Sequence, residues 1–315
     1  MLGVVAAIAV LATAGAAAAA NGGFTPVTPH SPNAARTNDA YYLVLGFTAA
    51  IFVLVEGLLV VFVWRYRSRG RPRTVDGAQV HGHTRLELIW TVIPVIILVI
   101  IGGFVFYKLP GIKNAPAAAN PLRITVEGHQ FYWQFDYPNG AHSINDLYAP
   151  VGQVVDLNVI STDVIHSWWI PELGGKIQAI PGRTNHFWFQ ADREGVYVGQ
   201  CAELCGLYHA AMRARVIVTS SADYQTYVSS TVNSDLGRAE FAGVCATCHG
   251  MQGQGGYGPK LSDNPMLTQT TGLDAVVRNG FGRMPAVGND WTDAQLGALA
   301  QYAKTSVFKG ASSGG

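Results

Sequence analysis

Two stretches of about 24 residues each, 41–64 and 86–109, carry almost no charge. At about 1.5 Å rise per residue, each is long enough to cross a hydrocarbon layer roughly 30 Å thick as a helix. In lipid the backbone must satisfy its own hydrogen bonds, so helix is the conformation left to both stretches. Glu56 is the one charge in the first, and it calls for protein or water beside it, because a carboxylate facing lipid is costly. The second contains Pro94, which is tolerated in such helices and predicts a kink.

Arg65, Arg67, Arg69, Arg71, Arg73 and Arg85 crowd the loop 65–85, whereas the flank before the first span holds only Arg36. By the positive-inside tendency this loop is cytoplasmic, which puts the tail 21–40 and everything after about residue 110 on the outer side. Residues 1–20, apolar and ending in alanines before Asn21-Gly22-Gly23, read as a signal peptide, with a retained membrane anchor as the alternative. An exported chain can carry disulfides and covalently attached haem. With 21 basic and 20 acidic side chains, net +1, and no basic block outside the one loop, nothing points to nucleic acid as a partner.

Past the spans, the pattern changes twice. From about 120 to 220, apolar and polar residues alternate in short runs (123–126, 131–137, 154–160, 186–190, 214–218) separated by Gly, Pro, Asn and Asp, the signature of a β-sandwich or barrel. Residues 221–234 form a Ser/Thr-rich linker, with Tyr224, Tyr227 and Val228 at helical spacing. Residues 235–308 read as helical. The last helix opens on the capping box Thr292-Asp-Ala-Gln295 and carries Leu296, Leu299, Ala300 and Ala303 as one apolar stripe suited to core packing.

All four cysteines fall in two metal signatures. In the β part, Cys201, Cys205, His209 and Met212 share one loop between the strand-like runs 195–200 and 213–218. Thiolate, imidazole and thioether together suit copper, and His166 is the natural remote ligand from another loop of the sandwich. The plainer alternative is a Cys201–Cys205 disulfide with His209 and Met212 incidental. In the helical part, Cys245-x-x-Cys248-His249 reads as covalent haem c attachment, with the histidine under the iron; thioredoxin-like and zinc readings need another context. The second axial ligand must come from Met251, Met266 or Met284. Met251 is too close to His249 to reach the other face, and Met284 is preferred because its loop follows the helical run 273–278 and precedes the last helix.

Residues 40–220 resemble subunit II of the haem-copper cytochrome c oxidases. The resemblance rests on LELIWTVIP at the start of the second span, Gly128-His129-Gln130-Phe131-Tyr132-Trp133, Asp163-Val-Ile-His166-Ser-Trp168, Ile180-Pro-Gly-Arg183 and CAELCGLYHAAM. Residues 235–308 are similar to a small class I cytochrome c. The fold this implies is a multidomain membrane protein: a two-helix transmembrane hairpin, an all-β cupredoxin-like sandwich and an all-α cytochrome c domain.

The resemblance also implies a dinuclear copper centre, CuA. Cys201 and Cys205 would bridge the ions, His166 and His209 would each ligate one, Met212 would be a weak ligand, and the carbonyl of Glu203 would complete the site. The Glu203 side chain would reach a magnesium ion at the boundary with subunit I. Glu87 matches an acidic residue at the mouth of a proton pathway, and Pro259 the residue whose carbonyl holds the haem histidine. Phe131 stands where many relatives carry the tryptophan that admits electrons from soluble cytochrome c, with Tyr132 and Trp133 beside it as substitutes.

The expected role is that of an electron-input subunit in a terminal cytochrome c oxidase of the bacterial plasma membrane. Its partners would be subunit I, which reduces O2, subunit III, membrane lipid, and a quinol-cytochrome c reductase or small cytochrome c as donor. No residue of this chain would be catalytic in oxygen reduction. A free-standing periplasmic electron carrier would leave the helical hairpin and Glu87 without a purpose, and a nitrous oxide reductase would need a large histidine-rich domain, for which nine scattered histidines do not suffice.

Overall fold

The computed structural model describes residues 25–67, 79, 81–117, 120–232, 236–262, 264, 267 and 269–308. The expected signal peptide, Arg69, Arg71, Arg73 and Met266 lie outside the described residues. The chain forms two compact units, one built on the long helices and the other from Val27–Ala35 together with Lys113 onward.

Helix α1 covers Pro32–Tyr66 and helix α2 covers Thr84–Lys113. Both outrun the apolar stretches that announce them. Helix α1 begins at Pro32 rather than at residue 41, because proline is a good first helical residue and the polar turns after it have no breaker. The two helix ends are joined within this unit by Lys108 Nζ to Asp39 Oδ2 at 2.6 Å and by Arg36 Nη1 donating to the Gly111 carbonyl at 2.7 Å. Phe52, Val53, Leu54, Leu98 and Val99 are exposed along their length, an apolar surface that lipid or another subunit must cover.

The second unit starts from a β-sandwich. One sheet has the order β3-β2-β1-β5-β8, from β1 (Leu122–His129), β2 (Tyr132–Asp136), β3 (His142–Ile144), β5 (Val155–Ser161) and β8 (Asn185–Phe189). The other has the order β4-β10-β9-β6-β7, from β4 (Asp146–Pro150), β6 (His166–Trp169), β7 (Ile177–Ala179), β9 (Gly195–Cys201) and β10 (Arg213–Thr219). Alternation decides which face is buried: in β5, Val155, Leu157 and Val159 point inward to meet Trp133, Phe135, Trp168 and Phe189. The stretch 221–234, expected as a connector, contains a regular helix, α3 (Ser221–Val232). Its Tyr224 and Val228 enter the sandwich core, and Tyr227 stacks on Tyr148 with 3.6 Å between ring centroids. Residues 27–35 are likewise no free tail: Asn33 Nδ2 donates to the Trp188 carbonyl at 2.9 Å and the His30 amide to the Glu172 carbonyl at 2.7 Å.

The helical segment follows, with α4 (Leu236–Glu240), a π turn over Phe241–Cys245, α5 (Ala246–His249), α6 (Thr270–Asn279) and α7 (Asp293–Tyr302). Thr292 and Gln295 close the capping box on α7, and Leu296, Leu299, Ala300 and Ala303 are buried. Phe241, Val244, Val277, Trp291, Leu296 and Leu299 form the core of this segment, and Tyr132 and Ile144 of the sandwich are part of that same core. Gly243 packs so closely on Ile144 that a Cβ there would meet its side chain at 2.2 Å. The helical segment therefore completes its interior with residues of the β domain.

Candidate metal and cofactor centres

The loop 201–212 is closed by the strands on either side of it. Strands β9 and β10 pair antiparallel with Gln200 opposite Arg213, and the Cys201 amide donates to the Met212 carbonyl at 2.9 Å. Strand β6 pairs with β9 so that Trp168 faces Cys201, which brings His166, two residues earlier, beside the loop. Gly128 leaves room for its ring, since a Cβ at that position would stand 2.9 Å from His166 Cδ2.

Five side chains meet there. Cys201 Sγ and Cys205 Sγ stand 4.0 Å apart as free thiols, about twice a disulfide bond length. His166 Nδ1 lies 3.9 Å from Cys201 Sγ, and His209 Nδ1 lies 3.5 Å from Cys205 Sγ. Met212 Sδ is 3.9 Å from Cys205 Sγ, and the Glu203 carbonyl is 3.2 Å from Cys201 Sγ. His166, Cys201, Cys205 and Met212 are buried.

The donors thus divide into two halves around the sulfur pair, each with its own imidazole. Six donors rich in sulfur exceed what one tetrahedral ion takes, and they fit two soft ions sharing the thiolates. The Cys201 thiol is pulled down to about 3, first by its hydrogen bond with Cys205, with burial opposing and His166 adding to the fall. Cys205 is pushed up by that same partner and by burial. The pair therefore holds one thiolate ready for a cation and releases its remaining proton on binding.

Around the donors runs a shell that sequence reasoning did not assign. Asp163 Oδ1 sits 2.8 Å from His166 Nε2, on the ring nitrogen turned away from the sulfurs. Burial depresses His166, but the bonds to Asp163 and Cys201 outweigh it and raise its pKa. Gln130 Nε2 donates to the Cys205 carbonyl. The signal for Asp163 was available, three residues before the histidine. Glu203 extends its carboxylate outward, 3.4 Å from Gln178 Nε2.

In the helical segment, His249 is buried and its Nδ1 donates to the Pro259 carbonyl at 2.7 Å, leaving Nε2 as its free donor. Gly258 packs against the ring; a Cβ there would lie 2.5 Å from His249 Cε1. Cys245, His249 and Met284 line two clefts, one of about 500 Å³ and the other of about 410 Å³. Leu261, Leu273, Val277 and Leu299 make the second almost wholly apolar. Burial pushes the Cys245 thiol up to about 12. Cys248 joins Cys245, His249 and Met284 in the first cleft, and two thiols, a buried histidine and a thioether around largely apolar space fit a large, flat, covalently held macrocycle. Met251 is exposed and lines neither cleft.

The first cleft is also lined by Phe131, Tyr132, Tyr208 and Ala211 of the sandwich. Phe131 meets Tyr208 edge-on, with 5.3 Å between centroids. The other two aromatic residues expected at an electron-input surface are not on a surface: Tyr132 is 1% exposed and Trp133 is 0% exposed. Glu87, in the first turn of α2, accepts the His83 amide at 3.0 Å and so caps its own helix.

Three family models match in succession. That of the cytochrome c oxidase subunit II transmembrane domain covers residues 22–107, and that of the periplasmic domain of the same subunit covers 142–221. That of cbb3-type cytochrome c oxidase subunit III covers 233–302. Cytochrome c oxidase subunit 2 of Alkalihalophilus pseudofirmus is 38% identical over 248 residues, covering 73% of this chain and 72% of the relative. The chain belongs to the cytochrome c oxidase subunit 2 family. A probable cytochrome c oxidase subunit 2 of Rickettsia bellii is 35% identical over 66% of this chain and 83% of its own length. The crystal structure of the periplasmic domain of subunit II of cytochrome oxidase of Bradyrhizobium japonicum aligns with 38% of this chain and 98% of its own, at 33% identity and a TM-score of 0.36. As a member of the subunit 2 family, the chain is one subunit of an oxidase enzyme complex. It is a membrane protein with two spanning helices and an outer-side domain.

Proposed function

We propose that this chain is the electron-input subunit of a terminal cytochrome c oxidase. In this reading, electrons from a donor pass through a haem c carried by the chain and a dinuclear copper centre, CuA, to the haems of subunit I, where O2 is reduced to water. The observation that carries it is the shared cleft: Tyr208 and Ala211 of the cysteine loop, with Phe131 beside it, line the same space as Cys245, Cys248, His249 and Met284.

When bound, the copper pair and the haem supply one-electron carriers. The residues of the chain hold and shield them. Cys201, Cys205, His166, His209, Met212 and the Glu203 carbonyl would hold the coppers. Asp163 orients His166, and Gln130 fixes the loop through the Cys205 carbonyl. Cys245 and Cys248 would hold the haem covalently, and His249, its ring set by Pro259, and Met284 would be the side chains that ligate its iron. Phe131 and Tyr208 meet edge-on in the cleft they share with His249.

Carrying the haem on the same chain raises the effective donor concentration to the order of mM for a short link, so capture of a diffusing carrier no longer limits each transfer to copper. This gives Phe131 and Tyr132 a duty inside the molecule. The partners are subunit I, subunit III and an external donor, either a quinol-cytochrome c reductase or a small cytochrome c. Glu87 stands at the inner mouth of a proton path, and the Glu203 carboxylate reaches a magnesium ion at the subunit I boundary.

The test is transient spectroscopy on the full-length, detergent-solubilised protein after photoreduction. Haem absorbance should decay in step with bleaching of the copper band, at a rate independent of protein concentration. A rate proportional to protein concentration would overturn the reading.

A further inference from the structure

A second cluster of ligating side chains lies where the sandwich meets the helical segment. Glu127 and His129 come from β1, and Asp290 comes from the loop before α7. One donor atom from each falls within 4.8 Å of the others. Glu127 Oε1 is 3.8 Å from His129 Nε2, and Asp290 Oδ2 is 3.6 Å from His129 Nδ1.

His129 is 6% exposed, and its Nε2 is buried without a hydrogen-bond partner. A buried imidazole nitrogen left bare beside a carboxylate is destabilising unless something supplies the missing contact. Its other nitrogen is already engaged by Thr162 Oγ1 at 3.0 Å, and its ring is stacked 4.6 Å from that of Tyr132, so it cannot turn away freely.

Carboxylates crowd the cluster. Asp136, Asp290 and Asp163 all act on Glu127, and burial together with these carboxylates pushes it up to about 7. Such a cluster favours a cation. Glu127 lies nearest Nε2 of the ring and Asp290 nearest Nδ1, with one donor atom of each residue within 4.8 Å of the others, and nitrogen with two carboxylate oxygens suits zinc better than magnesium or calcium.

We infer that Glu127, His129 and Asp290 form a divalent-metal site for zinc or a similar transition ion, which pins the helical segment to the sandwich. Thr162 orients the histidine from behind, as partners of metal-bound imidazoles do. A fourth position is left for water. The site is independent of the copper and haem assignments, since it shares no ligand with them.

The experiment is calorimetric titration of zinc chloride into the full-length protein, copper and haem in place, after chelator treatment and dialysis. Wild type should bind one equivalent tightly. Glu127→Gln and Asp290→Asn, which keep the side-chain shapes, should each weaken that equivalent about tenfold or more. Glu194→Gln, on an exposed turn elsewhere, should leave it unchanged. Zinc should also raise the unfolding temperature of wild type and not of Asp290→Asn, while the haem spectrum of each variant reports that it has folded. No tight equivalent in wild type, or equal affinity in folded Glu127→Gln and Asp290→Asn, would overturn the site.

Discussion

The Tyr132 hydroxyl, on strand β2 of the sandwich, accepts the indole N–H of Trp291 at 2.8 Å, from the loop that leads into α7. The same hydroxyl donates to the Val287 carbonyl at 3.2 Å, so one buried phenol joins two domains. Its pKa is driven up well above the ordinary value, chiefly by burial, and the phenol stays protonated as a donor. Tyr132, expected at an outer face of the sandwich, is covered by the chain's own helical segment.

Replacing Tyr132 by Phe should leave the Trp291 N–H buried without an acceptor, at a cost of roughly 1–3 kcal/mol. Hydrogen exchange should then speed up around residues 287–291 and leave β5 and β10 protected. Unchanged exchange there would show that the seam does not depend on this bond.

Asp163→Asn removes the carboxylate on His166 Nε2. Copper affinity should fall about 10- to 100-fold, while the haem spectrum stays as in wild type. Competition with a chelator of known copper affinity measures the loss.

Gly258→Ala would set a Cβ 2.5 Å from the His249 ring and force either the ring or the bond to Pro259 to move. The expected outcome is weakened axial ligation, read as a shift toward the high-spin haem spectrum, with the copper signal retained.

Glu240 is fully buried in the helical segment, and burial pushes its carboxyl up to about 8, with Gln295 pulling weakly the other way. Its folded pKa lies above the ordinary 4.5, so the native state keeps a proton that the unfolded chain releases. Stability from this group is therefore full below about pH 4.5 and falls as pH rises toward about 8. Glu240→Gln should flatten that decline and be the more stable form on the alkaline side, by an amount on the order of a few kcal/mol. Thermal unfolding of both proteins over this range gives the comparison.

Much of the architecture could be read directly from the chain. Apolar length marked both spans, though the polar turns at Pro32–Ala40 hid where α1 begins, since hydropathy is blind to a helix that continues into water. Alternation located β1, β2, β5, β8, β9 and β10 closely, and the stripe on α7 packs as its spacing implies. Asp163 stood three residues before His166 yet went unassigned, because its bond to the ring belongs to the folded loop and not to the spacing.

By itself the sequence determined the spans, the alternating strands and the two cysteine motifs, because helix length, pleat and ligand spacing are properties of neighbours along the chain. Only the tertiary structure decided that Tyr132 would be buried under Trp291, that Phe131 and Tyr208 would line the cleft of His249, and that Asp290 would meet Glu127 and His129. These pairings join residues far apart in the chain, where shape and desolvation between packed surfaces select the partner and no local period records it.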